Sequence, residues 1–236
     1  MSRPAEALTI RISESVGTVD AVLLRPADAR WLLVLAHGAG AGMHHPFMAG
    51  IAGELAGCGV ATLRYQFPYM QQREKRPDSP EVLTESVRTV VTATSELVPG
   101  LPLLAGGKSL GGRMTSLAYA GERSDANAGT AAVCGLVFLG FPLHPAGRPG
   151  IQRAAHLARV QAPMLFLQGT RDALADMELL RPVCATLGPR ATLHVVNGAD
   201  HSFHVLKRSG RTDAEVCTEL ARAVATWAEI GVRHRG

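Results

Sequence analysis

Apolar and polar residues alternate along the first part of the chain, and continuous apolar runs follow. Residues 7–12 and 18–24 alternate on either side of Gly17, a pattern typical of an antiparallel hairpin with one face in water. We expect this hairpin at the edge of a sheet. The later runs have no polar face, which is typical of parallel strands buried on both sides. These runs are 31–36, 60–64, 101–106, 133–140, 164–168 and 193–196.

The segments between these strands carry apolar residues at helical spacing. Pro46 and Pro80 stand in the first turn of two of them, where proline is favoured because its missing amide hydrogen is not needed. Alternating strands and helices indicate the α/β class, here a three-layer α/β/α sandwich with a mostly parallel sheet. The predicted helices are 46–57, 80–97, 151–159, 173–187, 212–230 and one directly after residue 109, and the polar stretch 71–80 predicts a surface loop.

Length and hydropathy fit one soluble domain. With 236 residues, 47% of them hydrophobic, the chain can bury the core of a single α/β domain spanning 1–236. No apolar run has the length of a membrane-spanning helix, and the amino terminus lacks the apolar core of a signal peptide. We therefore expect a cytoplasmic protein with no membrane partner.

Charge and cysteine usage exclude several classes of function. The net charge of +4 comes from basic residues spread from Arg3 to Arg235, without the clustered stripe that binds nucleic acid. The four cysteines stand singly, so no pair has the spacing of a zinc or redox site. We expect no metal, no organic cofactor and no nucleic-acid partner.

The strand at 101–106 leads into the most informative motif of the chain. Residues 107–111 read GKSLG, which matches the GxSxG nucleophile elbow, a tight strand-to-helix turn that exposes the hydroxyl of Ser109. With 11 serines and 25 glycines, chance gives about 0.12 such matches, so the pentad alone is only suggestive. Its position between an apolar strand and a helical pattern strengthens the interpretation.

Two nucleotide-binding motifs share some of these letters and can be excluded. The phosphate-binding loop GxxxxGK[ST] requires glycine where this chain has Pro102, which also lacks an amide hydrogen to offer a phosphate. The GAGAG run at 38–42 lacks the later glycine of GxGxxG and an acidic residue after the next strand.

Polar residues follow two later strands, at the sheet edge where functional groups of parallel sheets collect. Asp172 follows the strand 164–168, and His201 follows 193–196, which gives the order Ser, Asp, His of the α/β hydrolases. His201 would take the proton of Ser109, and Asp172 would fix the imidazole tautomer. The backbone amides of Leu110 and Ala39 are the expected oxyanion-hole donors.

Each of these assignments has an alternative. Asp172 can instead cap the helix that follows it, and His201 is one of nine histidines. His204 is the nearest competitor for the role of base, whereas we expect His37 to brace its own loop.

Five motifs together carry a family resemblance. HGAG, GGKSLGGR, GFPLHP, QGTRD and ADHSF occur in order between residues 31 and 208 and resemble a small lid-less group of the α/β-hydrolase superfamily. That group is related to dienelactone hydrolases, and its animal members include a subunit of a histone-acetyltransferase complex. The resemblance implies the α/β-hydrolase fold and the triad Ser109, Asp172 and His201. Dienelactone hydrolases have cysteine as nucleophile, so their lactone chemistry is not implied.

The surroundings of the predicted site indicate an open cleft. Only 23 residues, 141–163, connect the strands where many relatives insert a cap domain, so we expect no cap. We also expect positive charge beside Ser109 to favour anionic substrates if Lys108 and Arg113 face the cleft; alternatively they pack on helices or pair with acids such as Glu122. The candidate substrate-binding residues are Tyr65, Phe67, Phe141, His144 and Lys108.

These observations favour a serine hydrolase that cleaves esters or thioesters of small soluble substrates through an acyl-enzyme. One alternative is an idle hydrolase fold that serves as an interaction scaffold, although a scaffold has no need of all three triad residues. Another is a small peptidase, although no segment recognisable in the sequence would bind a peptide terminus. The oligomeric state is not specified by the sequence.

Overall fold

Eight strands form one sheet through the centre of the molecule. The computed structural model describes residues 5–121 and 131–232. The strand order is β1-β2-β4-β3-β5-β6-β7-β8, and every pair from β4 to β8 is parallel, whereas β2 runs antiparallel to both of its neighbours. The strands are β1 Glu6–Ser13, β2 Gly17–Leu24, β3 Trp31–Ala36, β4 Val60–Tyr65, β5 Leu103–Lys108, β6 Gly135–Leu139, β7 Met164–Gly169 and β8 Ala191–Val196. The predicted edge hairpin is β1–β2.

Helices cover both faces of this sheet. On one face, α3, α4 and α5 bury residues such as Val87, Met114 and Leu180 in a shared apolar core. On the other face, α1 and α6 bury Ile51 and Leu220. The three-layer α/β/α sandwich is therefore confirmed. The helices are α1 Pro46–Gly57, α2 Pro68–Gln71, α3 Pro80–Leu97, α4 Leu110–Ala118, α5 Met177–Leu187 and α6 Asp213–Trp227.

Several boundaries differ from the sequence prediction: strand β5 spans Leu103–Lys108 and not 101–106, and strand β8 begins at Ala191 and not at 193. Helix α5 begins at Met177 and not at 173, because the Asp176 carboxylate accepts a hydrogen bond from the amide of Glu178 and caps the helix there. Strand β6 spans Gly135–Leu139 and not 133–140. Helix α6 ends at Trp227, and the chain continues as a π-helix over Ala228–Val232. The short helix α2 was not predicted.

The connection between β6 and β7 contains no cap domain. Its only helical segment is the 3₁₀ helix Gln152–Arg159, which packs Leu157 into the core on the α4 side. No domain is therefore inserted at this connection to cover the loops at the carboxyl ends of β3, β5, β7 and β8. Among the described helices, none has both the length and the apolar character needed to cross a membrane.

Candidate active site

Ser109 stands in a strained turn between β5 and α4. Its backbone has φ 50° and ψ −114°, a left-handed conformation that non-glycine residues rarely adopt. The chain passes so closely that a Cβ at Gly107 would lie 2.6 Å from the Ala36 oxygen, and a Cβ at Gly111 2.5 Å from the same atom. The two glycines of GxSxG are thus required by backbone packing, as expected for a nucleophile elbow.

The loop after β8 brings His201 to this serine. Oδ1 of Asp200 accepts hydrogen bonds from the amides of Ser202 (2.8 Å) and His204 (3.0 Å), which closes the loop into a compact turn. His201 Nε2 lies 2.9 Å from Ser109 Oγ, although 92 residues separate them. The imidazole is therefore within hydrogen-bonding distance of the Ser109 hydroxyl.

Asp172 lies on the opposite side of the same imidazole. Its Oδ2 is 2.7 Å from His201 Nδ1 and also accepts a hydrogen bond from Nε2 of Gln168 (2.6 Å), while Oδ1 accepts one from the amide of Leu174 (2.8 Å). The carboxylate is buried, with 1% of its side chain exposed. Because a carboxylate only accepts, Nδ1 carries the proton and Nε2 is left to accept the proton of Ser109. The Asp172 carboxylate therefore contacts His201, and the residue that caps α5 is Asp176.

Gln168 also contacts the Asp172 carboxylate, and the sequence analysis did not single it out. It is fully buried four residues before Asp172, and its amide shares Oδ2 with the imidazole. A buried amide at the end of a strand is a common core feature, so the only available signal was its presence in the quoted QGTRD motif.

The competing histidine has a different partner. His204 is exposed, and its Nδ1 lies 2.9 Å from Oδ2 of Asp213 at the start of α6. The hydrogen bond to Asp213 raises the pKa of His204. Its ring is therefore paired with Asp213.

The loop after β3 is fixed by a buried histidine. His37 Nδ1 donates to the oxygen of Gly38 (2.8 Å), and Nε2 accepts from the amide of Phe67 (3.0 Å). Burial lowers the pKa of His37 to about 4, which its hydrogen bond to Gly38 only partly offsets. A Cβ at Gly38 would lie 3.6 Å from Ser109 Cβ, so this loop passes beside the serine and carries the exposed Ala39 with it.

Four of the candidate substrate-binding residues are buried, in contrast to the expectation from the sequence. Tyr65, Phe67 and Phe141 are at most 1% exposed and pack in the apolar core on the α3 side of the sheet. His144 is 4% exposed; its Nδ1 bonds to the oxygen of Pro145 and its Nε2 accepts from the Asp176 amide. Because their surfaces are already covered, these side chains do not line an open acyl pocket.

The two basic residues beside Ser109 also have structural surroundings. Lys108 Nζ donates to the backbone oxygen of His201 at 2.6 Å, so its ammonium group is held by the loop after β8. Arg113 is partly buried, and its pKa is lowered by burial and by Arg153. Glu122, the suggested alternative partner, lies outside the described residues.

A match to the family described as Alpha/beta hydrolase domain spans residues 29–229. The chain belongs to this alpha/beta hydrolase family. Among solved structures, the chain is similar to dienelactone hydrolase from Anabaena variabilis, with 20% identity, 98% of this chain and 99% of that chain covered, and a TM-score of 0.72.

Two further solved structures share this fold. XC6422 from Xanthomonas campestris, an α/β serine hydrolase without lid, is 22% identical over 94% of each chain, with a TM-score of 0.68. Est1E from Butyrivibrio proteoclasticus with ferulic acid bound is 16% identical over 92% of this chain and 98% of that chain, with a TM-score of 0.65. These likenesses establish the fold, and with the family match they confirm the resemblance to lid-less, dienelactone-hydrolase-like proteins.

Proposed function

We propose that this alpha/beta hydrolase cleaves carboxylic esters or thioesters of small soluble substrates through an acyl-enzyme on Ser109. The observation that carries the proposal is the continuous chain of hydrogen bonds from Ser109 Oγ through both nitrogens of His201 to the buried Asp172. A hydroxyl is a weak nucleophile at its own pKa and needs such a base. An interaction scaffold has no need for this arrangement.

In acylation, Ser109 Oγ bonds to the substrate carbonyl carbon while its proton passes to His201 Nε2. The carbonyl π electrons move to the oxygen, and the resulting negative charge requires nearby donors. The amide of Leu110, at the positive end of α4, and the amide of Ala39, on the loop beside Ser109, are the proposed donors. Asp172 stabilises the imidazolium through Nδ1.

Collapse of this intermediate breaks the bond to the leaving oxygen or sulfur, which takes the proton from Nε2. Water then gives a proton to Nε2 and attacks the acyl carbon, and Ser109 Oγ leaves and recovers that proton. The products are a carboxylic acid and an alcohol or thiol. No redox partner or metal ion enters this balance.

The proposed substrates are small because no cap domain is inserted between β6 and β7. Est1E, which shares the fold, has been solved with ferulic acid, an aromatic carboxylic acid. We therefore include an aromatic acyl group among the first substrates to be tested. We place the whole activity in one domain spanning 1–236.

The test is hydrolysis of a matched panel of p-nitrophenyl acetate, butyrate and ferulate, and of the corresponding thioesters, by wild type and Ser109→Ala. We expect turnover of at least one class that Ser109→Ala lacks, with a covalent acyl-enzyme visible by intact mass when the reaction is quenched. Aminoacyl p-nitroanilides serve as the peptidase control. Faster turnover of the anilides, or equal activity in Ser109→Ala, contradicts the proposal.

A further inference from the structure

Lys108 precedes Ser109 at the end of β5, and its side chain reaches the loop after β8. Nζ donates to the backbone oxygen of His201 at 2.6 Å and lies 5.5 Å from the centre of the Phe203 ring. Phe203 in turn stacks on Phe47 of α1 at 5.6 Å between ring centres. The ammonium group therefore contacts the loop after β8 through both a hydrogen bond and an aromatic face.

The room for this contact comes from Gly140, directly after β6. A Cβ at Gly140 would lie 3.1 Å from Lys108 Nζ, 3.5 Å from Asp172 Oδ2 and 3.6 Å from His201 Nδ1. The ammonium group and the His201–Asp172 hydrogen bond thus border the same small space, which the absent side chain leaves open. The charged and titratable groups that face Nζ are Asp172 from the loop after β7, and Asp200 and His201 from the loop after β8.

His201 is consequently attached at two points by two adjacent residues. Ser109 contacts its ring, and Lys108 contacts its backbone oxygen. We propose that Lys108 is a positioning residue. It fixes the position of the His201 backbone relative to β5, so that Nε2 stays within hydrogen-bonding distance of Ser109 Oγ. This inference rests on the proposed function of the same site.

The charge state of Lys108 gives the contact a pH dependence. Burial lowers the pKa of Lys108 to about 8, although Asp172 and Asp200 oppose the shift. The ammonium form is therefore present below about pH 8 and is lost as the pH rises through that value. A neutral amine is a weaker donor to the His201 oxygen, so the attachment weakens on the alkaline side.

A positioning role and a substrate-steering role of Lys108 predict different kinetic effects. A lysine that attracted anionic substrates would chiefly change KM for charged esters and respond to salt. A lysine that holds the His201 backbone changes the proton transfer to Nε2, because small displacements of a reacting group cost up to about 10²-fold in rate. Its removal lowers kcat and leaves KM for a neutral ester almost unchanged.

The test compares Lys108→Met with Lys207→Met, which removes the same charge from an exposed position of the same loop. With a neutral p-nitrophenyl ester, we expect kcat of Lys108→Met to fall about 10- to 100-fold with KM within about twofold. The alkaline decline of wild-type kcat, with a midpoint near pH 8, should be absent from Lys108→Met and retained in Lys207→Met. A kcat within twofold of wild type, a loss confined to KM, or an alkaline decline that persists in Lys108→Met overturns the proposal.

A second readout does not depend on turnover. The proton between His201 Nδ1 and Asp172 Oδ2 is expected to give a downfield proton resonance, assigned by its loss in His201→Ala. In wild type, this resonance should broaden as the pH rises, with a midpoint near pH 8. A resonance that stays unchanged to pH 10 overturns the positioning role. If Ser109-dependent turnover is absent while the resonance titrates as expected, the proposed function fails and the positioning of His201 stands.

Discussion

Two histidines lie on loops beside Ser109, and their surroundings differ sharply. His37, after β3, is fully buried, donates to one backbone carbonyl and accepts from one backbone amide. His201, after β8, has 27% of its side chain exposed and bonds to a hydroxyl and a carboxylate. His37 directly follows β3 and His201 lies five residues after the end of β8, both at the same edge of the sheet, so position alone does not distinguish them.

The two histidines differ in the surroundings that a positive charge would have if the ring took up a second proton. Protonation of His37 would place a charge in the core and remove the acceptor that the Phe67 amide needs, which is why burial lowers its pKa to about 4. Protonation of His201 would form a charge next to the Asp172 carboxylate. We therefore propose that His37 braces its loop and that His201 exchanges protons, and the following variants test this division.

The largest expected effect comes from replacing Ser109 or His201. Ser109→Ala and His201→Ala should each lower kcat by about 10⁴-fold or more, and the double variant should lose little beyond either single one, because the residues act as a unit. The measurement is kcat for the best ester of the panel, with circular dichroism to verify the fold. Additive losses in the double variant would show that the two residues act independently.

Asp172→Asn should preserve the fold and lower kcat by about 10⁴-fold, because an amide donor facing Nδ1 favours the wrong imidazole tautomer. Asp176→Asn is the matched control, since that carboxylate caps α5 and does not contact His201. A kcat for Asp172→Asn similar to that of Asp176→Asn would mean that Asp172 does not orient the base.

His37→Ala should mainly affect stability. It leaves the Phe67 amide and the Gly38 oxygen without their buried partner, so we expect a loss of about 2–4 kcal/mol in the free energy of unfolding. The rate should fall only about tenfold, through loosening of the loop that carries Ala39. Urea unfolding and kcat measured on the same samples separate the two effects.

The pH dependence of stability follows from the same histidine. His37 has a pKa of about 4 in the folded protein, against 6.5 for an exposed histidine, so between these values the unfolded chain binds a proton that the folded chain does not. The free energy of unfolding should therefore decrease as the pH falls through this window, by up to about 3 kcal/mol from His37. Burial also lowers the pKa of His156 to about 4, and this adds to the same trend.

Removing His37 should flatten this dependence, whereas His44→Ala, at an exposed position, should leave the slope unchanged. Urea unfolding at pH 7, 6 and 5 gives the comparison. Equal slopes in wild type and His37→Ala would show that His37 is not held neutral by the fold.

The smallest effect is expected for His204→Ala. Its ring pairs with Asp213 at an exposed site, and exposed ion pairs contribute little. We expect kcat within about twofold of wild type. A loss comparable to that of His201→Ala would assign the base to the wrong histidine.

Much of the fold was predictable because strands buried on both faces leave long apolar runs. The helix α3 matches its predicted bounds, and the strained turn at Ser109 follows from two glycines that no other residue could replace. Signals of this kind are local, so a single sequence contains them.

The rest depends on contacts between distant segments. The sequence does not show that Phe67 and Phe141 are covered by the core while Ser109 is only partly buried, because all three stand on loops or turns near the same edge. Nor does it show that Lys108 reaches a carbonyl 93 residues away. These outcomes are decided by which loop packs over which strand.

Covalent labelling of Ser109 tests the central claim most directly. A fluorophosphonate probe reacts with a serine hydroxyl that a neighbouring base activates, so wild type should gain one adduct, located on Ser109 by peptide mapping. Ser202→Ala, which alters an exposed serine next to His201, should label as wild type does, and His201→Ala should label far more slowly. A wild-type protein that fails to react, or a Ser109→Ala variant that labels equally well, would contradict the account.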